Sequence, residues 1–442
     1  MKSIRPSAGV FAVLCLSVSM SLAGVHPDIQ KVIQSVSAER VEELLKTFES
    51  FQTRNLLSSD TAGFGIKASA EWIKAEFEKA NPDLNVYLDR FILPKQGRRL
   101  TRDVELINVV AVLPGKWAGG NKERIFLVNA HYDTISRSAD GRFHSDESDT
   151  PAPGINDDAS GVAAMIEAAR AFRGLAFEAT VYFVAFAGEE MGLIGSTLMA
   201  AKLKEQGKNI EGVFTLDMIG NIKGGGGRID NNRMRIFSAG PADSPSRQLA
   251  RYAKRFGEEA FPAVEIDCIF RADRFGRGGD HTPFVLEGYP GIRLMEASEN
   301  YAVQHSPDDT LNNMDLDYCT QNIRIISSIL ATLALAPPAP EVSGERGRSL
   351  LGRGDSGYDA HLRWQGVEAE DLSGYFVHWR KTTAPFWEKK VFVKDAPELL
   401  LPGVSIDEFV FGVSAVDRDG FESPVAAYTM PPRTKQEYIT KK

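Results

Sequence analysis

The sequence VYFVAFAGEE, residues 181–190, decides how this chain folds, because an uninterrupted apolar run ends at two adjacent glutamates. A strand that is apolar on both faces is buried on both sides, as the central strands of parallel sheets are. Two further runs have the same design: residues 125–128 precede His131, and residues 213–216 precede Asp217. Segments with helical spacing separate the three runs. We therefore predict an α/β unit with a mixed, mainly parallel sheet covered by helices on both faces.

The periodicity of apolar residues predicts the remaining elements around these runs. An amphipathic helix is expected within residues 26–59, and a second helix at 67–80 is stopped by Pro82. Further strands are predicted at 86–91, 107–113, 235–239 and 291–295, and further helices at about 159–173, 195–205, 245–256 and 316–335. Ligands of open α/β sheets bind beyond the carboxyl ends of the strands. His131, Glu189, Glu190 and Asp217 should therefore meet at one edge of the sheet.

Length and charge limit the kind of protein that this can be. The chain has 442 residues, 43% of them hydrophobic, and a formal net charge of -8. Domains usually hold about 100 to 200 residues, so we expect two or three units. The acidic balance argues against nucleic acid or an anionic membrane as the main partner. The segment PPAP at 337–340 is typical of a stiff linker, and it separates a predicted catalytic domain, residues 24–336, from a second unit, residues 341–435.

The second unit shows the alternation of β-strands and no helical pattern. Apolar and polar residues alternate at 361–364, 375–379, 391–393 and 409–415, which predicts a small antiparallel sandwich. The segments LRW (362–364), GYFVHWR (374–380) and FVFGVSAVD (409–417) resemble the strands of a fibronectin type III domain, with Phe409 where that family usually has tyrosine. We interpret this unit as an accessory module for docking or stability, whose partner is unknown.

The N-terminus has the layout of a signal peptide. Lys2 and Arg5 are followed by a serine-rich apolar stretch, residues 8–22, and by the small-x-small pattern Ser21-Leu22-Ala23. The alternative is a membrane-spanning helix, but such a helix needs roughly 20 strongly apolar residues and this stretch is shorter. We predict that residues 1–23 are removed and that the protein is secreted or periplasmic, without stable membrane insertion.

Removal of this segment leaves two cysteines, Cys268 and Cys319. Two cysteines are too few for a disulfide framework. A bond between them and two separate buried thiols both remain open.

The polar residues at the strand ends have the composition of a metal site. Histidine and carboxylate side chains are ordinary zinc ligands, and a catalytic zinc keeps one position open for water. Each cluster alone has a simpler explanation: a surface histidine at 131, helix capping by Asp157 and Asp158, a solvated turn at 189–190, or an ion-paired Asp217. Their occurrence together in one α/β unit favours a metal site.

Five motifs extend this pattern along the chain: AHYD (130–133), PGINDDASG (153–161), FAGEEMGLIGS (186–196), LDMIG (216–220) and HSPDDT (305–310). By these motifs the chain from about residue 40 to 335 resembles the co-catalytic zinc exopeptidases of metallopeptidase clan MH, which include secreted leucyl aminopeptidases and glutamate carboxypeptidase. The resemblance implies a phosphorylase/hydrolase-like three-layer αβα sandwich. It also implies two zinc ions per chain, one held by His131 and Asp217, the other by Glu190 and His305, with Asp157 as the bridge.

The resemblance also implies roles for residues that do not bind metal. Glu189 matches the general base, and Asp133 matches the carboxylate that orients the imidazole of His131. Three residues are candidates for the substrate site: Tyr301, Arg274, and His281 in the motif DHTPF (280–284), interpreted as a wall of the site or as a support behind its ligands rather than as a ligand.

The leading interpretation is an aminopeptidase that hydrolyses N-terminal residues from peptides. A carboxypeptidase of the same fold is the first alternative. The choice depends on whether an acid such as Glu296 or Glu299, or an arginine of the cluster at positions 271, 274 and 277, faces the terminus of the substrate. A glutaminyl cyclase, which keeps one zinc, and a binding protein without catalysis are the other two. The complete ligand set argues against both.

Overall fold

A computed structural model describes residues 24–120, 122–137, 148–394 and 396–430 of the chain. The predicted signal peptide, residues 1–23, and the end of the predicted second unit, residues 431–435, lie outside the described residues. All statements about the fold concern the described part.

An eight-stranded mixed sheet forms the centre of the N-terminal unit. Its strands lie in the order β1-β2-β4-β3-β5-β8-β6-β7. The pairs β3–β4, β3–β5, β5–β8 and β6–β7 are parallel, and the pairs β1–β2, β2–β4 and β6–β8 are antiparallel. The strands are β1 (Asn85–Leu93), β2 (Val104–Leu113), β3 (Ile125–His131), β4 (Thr180–Phe186), β5 (Ile210–Leu216), β6 (Arg233–Ser238), β7 (Glu265–Ile269) and β8 (Gly291–Glu296).

Eight α-helices lie on the two faces of this sheet. They are α1 (Pro27–Ser35), α2 (Ala38–Ser50), α3 (Gly65–Ala80), α4 (Ser160–Ala171), α5 (Ile194–Glu205), α6 (Pro245–Ala260), α7 (His281–Leu286) and α8 (Leu316–Leu335). Alternate residues of β3 enter different cores: Phe126 and Val128 pack with α4 and α8, whereas Ile125 and Leu127 pack with α5 and α7. This confirms the predicted three-layer αβα sandwich with helices on both faces.

Two parts of the helix and strand prediction differ from the structure. The leading segment forms two helices, because Val36 is extended and Ser37 caps α2 through a hydrogen bond from the Arg40 amide. Neither β7 nor α7 was predicted. Each is only five or six residues long, which is too short for periodicity to identify.

The C-terminal unit consists of two antiparallel sheets packed face to face. One sheet has the order β13-β10-β9 and the other β12-β11-β14-β15. Leu362, Trp364, Val377, Phe411 and Val413 are buried between them. The predicted antiparallel architecture is confirmed, and the likeness to fibronectin type III domains stays a prediction. The strands are β9 (Gly352–Arg353), β10 (Asp359–Arg363), β11 (Leu372–Lys381), β12 (Lys389–Val393), β13 (Glu398–Ser405), β14 (Phe409–Asp417) and β15 (Ala426–Ala427).

The sandwich packs directly against α6 of the first unit. Arg255 Nη1 lies 2.9 Å from Glu422 Oε2, and Trp387 Nε1 donates to Gln248 Oε1 at 3.2 Å. Arg251 Nε donates to the carbonyl of Pro385 at 2.7 Å. The two units are therefore joined by specific polar contacts as well as by the proline-rich segment 337–340.

The two cysteines are free thiols. Cys319 is buried in α8, and Cys268 on β7 donates to the carbonyl of Ala250 at 3.3 Å. Burial raises the pKa of Cys268 to about 12, so this thiol stays protonated at neutral pH. Of the two possibilities left by the sequence, the structure has the separate thiols.

No helix of the described residues combines the length and the apolar character that crossing a bilayer requires.

Candidate metal centre

Side chains from separate loops converge at the carboxyl ends of the central strands. His131 ends β3, Asp217 follows β5 directly, and Glu189 with Glu190 follows β4. His305 lies in the loop after β8. Because β4, β3, β5 and β8 are neighbours and run in parallel, their carboxyl ends lie side by side.

Asp157 lies between the two histidines. Its Oδ1 is 3.0 Å from Nε2 of His131, and its Oδ2 is 3.1 Å from Nε2 of His305. On one side, Asp217 Oδ1 lies 3.9 Å from His131 Nε2; on the other, Glu190 Oε1 lies 2.9 Å from His305 Nε2. The structure thus forms two groups that share Asp157, each with ligand atoms within 4.8 Å of one another: His131, Asp157 and Asp217, and Asp157, Glu190 and His305.

The donor set fits divalent zinc. The five side chains supply imidazole nitrogen and carboxylate oxygen, the ligands that zinc takes besides thiolate. The surroundings are strongly acidic: burial lowers the pKa of His305, but the charge of Glu190 and the hydrogen bond to Asp157 outweigh it and raise that pKa to about 10. Buried carboxylates need a compensating cation, and a metal ion supplies one.

The loop that carries Asp157 is held by Asp309. The carboxylate of Asp309 accepts the backbone N–H of Asn156 at 2.9 Å and of Asp157 at 3.1 Å. Asp158, next to Asp157, points elsewhere: its Oδ2 accepts from the His131 amide at 3.2 Å and its Oδ1 from the Met218 amide at 3.1 Å. Asp157 therefore faces both histidines, whereas Asp158 connects the ends of β3 and β5.

Arg54 supports the same loop from below. Its side chain is fully buried and donates to the carbonyls of Tyr132 at 2.6 Å, Gly154 at 2.8 Å and Pro153. Burial lowers the pKa of Arg54 to about 10, although Asp309 and Asp133 lie close enough to oppose this. Arg54 could not be identified from the sequence, because a lone arginine outside every motif carries no recognisable signal.

We expect Arg54→Ala to destabilise the protein by about 3 to 5 kcal/mol, because it leaves buried carbonyls and carboxylates without their cation. Urea unfolding with the metal present measures this. Arg102→Ala is the matched control, since the exposed Arg102 also donates to two carbonyls, Leu57 at 3.0 Å and Ser58 at 3.3 Å, and should change stability by under about 1 kcal/mol. Equal effects of the two substitutions would contradict this role of Arg54.

Asp217 is held from behind by a second buried arginine. Arg293 Nη2 lies 2.9 Å from Asp217 Oδ2, and its Nη1 lies 3.3 Å from Asp273 Oδ2. Asp217 consequently presents its other oxygen, Oδ1, to His131. Arg293 could not be identified from the sequence either, since it lies on β8, outside the motif around Asp217.

Asp133 positions the glutamate pair. Its two carboxylate oxygens accept the backbone N–H groups of Glu189 at 3.0 Å and Glu190 at 3.2 Å. Nδ1 of His131 lies 3.1 Å from the main-chain oxygen of Asp133 and 3.7 Å from its carboxylate. The orienting contact to His131 thus comes from the carbonyl rather than, as expected, from the carboxylate.

Glu189 has the environment of a proton acceptor. Burial raises the pKa of its carboxyl well above the usual value, and the charges of Glu190 and Asp280 add to the increase while His131 opposes it. A carboxylate whose pKa is raised holds a proton more readily, which suits a base that must accept and return one.

The three candidate substrate residues have different positions. Tyr301 is 55% exposed, and its ring lies beneath the guanidinium of Arg277. Arg274 pairs with Glu299 at 2.8 Å and with Asp273 at 3.2 Å. His281 was expected at the wall of the site, but it is 1% exposed and its Nε2 lies 2.8 Å from the carbonyl of Ala272. The imidazole of His281 is therefore enclosed by protein and offers a substrate no surface, which corrects the expectation of a wall residue. Its interpretation as a support behind the ligands stays a prediction.

Comparisons with known proteins agree with this fold. The family model described as peptidase family M28 matches residues 108–330. A protein named probable zinc metalloprotease from Leptosphaeria maculans is 32% identical over 436 residues, covering 91% of this chain and 97% of that protein. The aminopeptidase LapA of Legionella pneumophila has a TM-score of 0.53 at 20% identity, covering 70% of this chain and 75% of LapA. A glutaminyl cyclase from Macrostomum lignano gives 0.53 at 16% identity, covering 69% of this chain and 92% of the cyclase.

Proposed function

The chain belongs to peptidase family M28, and we propose that it is an exported aminopeptidase that works with two zinc ions. The observation that supports two ions is the position of Asp157, whose two oxygens lie 3.0 Å and 3.1 Å from two different imidazoles. A carboxylate between two sets of ligands is the arrangement that a shared bridge requires.

In this proposal His131, Asp217 and Asp157 would hold one ion, and Asp157, Glu190 and His305 would hold the other. Bound zinc lowers the pKa of water and polarises a carbonyl group, and this is the chemistry that the metal supplies. Arg293 keeps Asp217 turned so that Oδ1 faces His131. The carbonyl of Asp133 accepts the hydrogen bond from Nδ1 of His131, which leaves Nε2 as the ligand atom.

Glu189 is the proposed general base. It takes a proton from the attacking water onto its carboxylate and returns that proton to the nitrogen of the leaving amine. Asp133 fixes the main chain here by accepting the backbone N–H groups of both Glu189 and Glu190. The two adjacent glutamates would thus have different roles: Glu190 would hold metal, and Glu189 would stay free to exchange the proton.

The ion pairs of Arg274 argue against its binding a free carboxylate at the terminus of the substrate. A carboxypeptidase needs a cation that is not already neutralised, and Arg274 is paired with Glu299 and Asp273. Of the other two arginines, Arg277 lies 3.9 Å from the same Glu299, and the exposed Arg271 lies over the ring of Phe275.

The two carboxylates that could bind the amine of a substrate are occupied as well. Glu296 accepts hydrogen bonds from Asn221 and Asn156, and Glu299 accepts them from Arg235 and Arg274. We infer that neither Glu296 nor Glu299 is free to bind the amine of the substrate.

Paired substrates test the direction of attack. We expect the zinc-loaded protein to hydrolyse leucyl, alanyl, arginyl or glutamyl p-nitroanilides, to lose that activity with chelator and to regain it with zinc. N-blocked peptides with free carboxyl ends are the matched set, and cleavage of these alone would transfer the assignment to a carboxypeptidase. Formation of a pyroglutamyl product from N-terminal glutamine, without release of amino acid, would instead establish a cyclase.

Export is the last part of the proposal, and it rests on the charge and hydrophobicity pattern of residues 1–23. The mature protein should begin near Gly24. N-terminal sequencing of the protein recovered from outside the cytoplasm tests this, and a retained Met1 would contradict cleavage.

A further inference from the structure

A cavity of about 230 Å³ lies between α6 and the C-terminal sandwich. None of the proposed metal ligands lines it. Its lining includes Gln248, Arg251 and Tyr252 from α6, and Trp387, Lys390 and Glu422 from the sandwich. Ligand pockets for drug-sized molecules hold about 300 to 1,000 Å³, so this cavity accommodates something smaller.

Three buried polar atoms on the cavity-lining residues of α6 lack a hydrogen-bond partner within the described residues: Nε2 of Gln248, Nη1 of Arg251 and the hydroxyl of Tyr252. The three residues are 4%, 6% and 6% exposed. They are spaced i, i+3 and i+4, so they share one face of the helix. Trp387 Nε1 donates to Oε1 of Gln248, which fixes the amide and leaves its N–H₂ end free.

All three atoms can donate, so together they suit an acceptor with several lone pairs. Buried donors of this kind are normally paired with protein, ligand or ordered water. The amide and guanidinium nitrogens among them can therefore pair with an acceptor but not with another donor.

The charges beside these donors add a second argument. Asp243 faces two arginines at once, Arg380 at 2.5 Å and Arg251 at 3.6 Å. Burial lowers the pKa of Arg251 to about 10, and the charge of Arg380 contributes to this decrease while Asp243 opposes it. On the other wall, Glu422 is already shared by Arg255 at 2.9 Å and Lys390 at 3.3 Å. Arg251 is consequently short of negative charge, and an anion in the cavity would supply it.

We propose that this cavity binds a small organic carboxylate of about the size of a single amino acid. Its carboxylate accepts hydrogen bonds from Arg251, Gln248 and Tyr252, and its apolar part lies against Trp387, Phe256 and Val425, which also line the cavity. A bound carboxylate contacts both units and so strengthens their attachment. The proposal concerns a separate site, and it holds or fails independently of the direction in which the peptidase attacks its substrates.

The test uses the full chain with zinc bound and N-acetyl-L-leucine as the probe. We expect saturable binding by calorimetry and a change in tryptophan fluorescence that Trp387→Phe removes. N-acetyl-L-leucinamide, which has the same body without the charge, should not bind. Inorganic phosphate and acetate test whether the site takes any anion or only a carboxylate with an apolar body. Both should bind at least tenfold more weakly than N-acetyl-L-leucine.

Two variants and one control locate the carboxylate. Arg251→Gln should weaken N-acetyl-L-leucine binding at least tenfold, and Tyr252→Phe, which removes only the hydroxyl, should weaken it by a smaller factor. Lys389→Gln removes an exposed cation that also lines the cavity, and it should change affinity less than twofold. If Arg251→Gln does not fold, the comparison of probe affinity between Tyr252→Phe and Lys389→Gln tests the proposal.

Three results would overturn the proposal. The first is the absence of a Trp387-dependent signal up to about 10 mM probe, a concentration at which even a weak site would fill. The second is equal binding of N-acetyl-L-leucine and its amide. The third is an equal loss of affinity in Tyr252→Phe and Lys389→Gln. Inhibition of peptide hydrolysis by the probe reports a carboxylate at the metal centre, and this inhibition should be the same in Tyr252→Phe as in the unmodified protein.

Discussion

Glu189→Gln is expected to lower kcat by about 10²- to 10⁴-fold, the usual contribution of a general base, while the metal content stays unchanged. Glutamine keeps the shape of the side chain but cannot take up the proton. The backbone bonds from the Glu189 and Glu190 amides to Asp133 do not involve the altered group and should remain. Steady-state kinetics on a leucyl p-nitroanilide, together with zinc analysis of the same sample, measure the effect.

Glu190→Gln is the matched control for this prediction. The neighbouring side chain lies 2.9 Å from Nε2 of His305, so its substitution should reduce the zinc content as well as the rate. Added zinc should therefore restore part of the activity of Glu190→Gln and none of that of Glu189→Gln. A Glu189→Gln protein that loses zinc, or that keeps full activity, would refute the assignment of the base.

Asp157→Asn is expected to have the second large effect, the loss of tight metal binding at both positions. One oxygen of the carboxylate faces each histidine, and an amide offers only one oxygen and no charge. Metal that binds only the folded state stabilises it by mass action. Chelator should therefore lower the Tm of the unmodified protein by several degrees, and it should change the Tm of Asp157→Asn little.

The adjacent aspartate provides the control. Asp158→Asn alters a carboxylate that accepts from the His131 and Met218 amides and faces neither metal group. We expect this variant to be less stable but to retain its response to chelator. Loss of the response in Asp158→Asn with retention in Asp157→Asn would reverse the two roles.

The central strands could be predicted from the sequence because they are apolar on both faces and end in polar residues. The same rule brought His131, Glu189, Glu190 and Asp217 to one edge, since neighbouring parallel strands end side by side. His305 follows β8 at a distance, and only its motif suggested that it belonged with the others. In the structure it lies beside Asp157 and Glu190.

The support of the site could not be predicted in the same way. Arg54 and Arg293 act through carbonyls and carboxylates that are distant in sequence, and a buried arginine looks like any other until its surroundings are known. His281 shows the opposite error. It stands in a recognisable motif, but the first turn of α7 directs its ring toward the carbonyl of Ala272.

The strand order also bears on how the protein acquires its metal. β8 is inserted between β5 and β6, pairing in parallel with β5 and antiparallel with β6. Pairing of segments that are far apart in sequence is slow, because the chain between them must first be ordered. His305 follows β8, so the ligand set is complete only when this late pairing has formed. We therefore expect metal to enter a chain that is already folded. The identity of the bound metal should then depend on which ions are available in the compartment where folding ends.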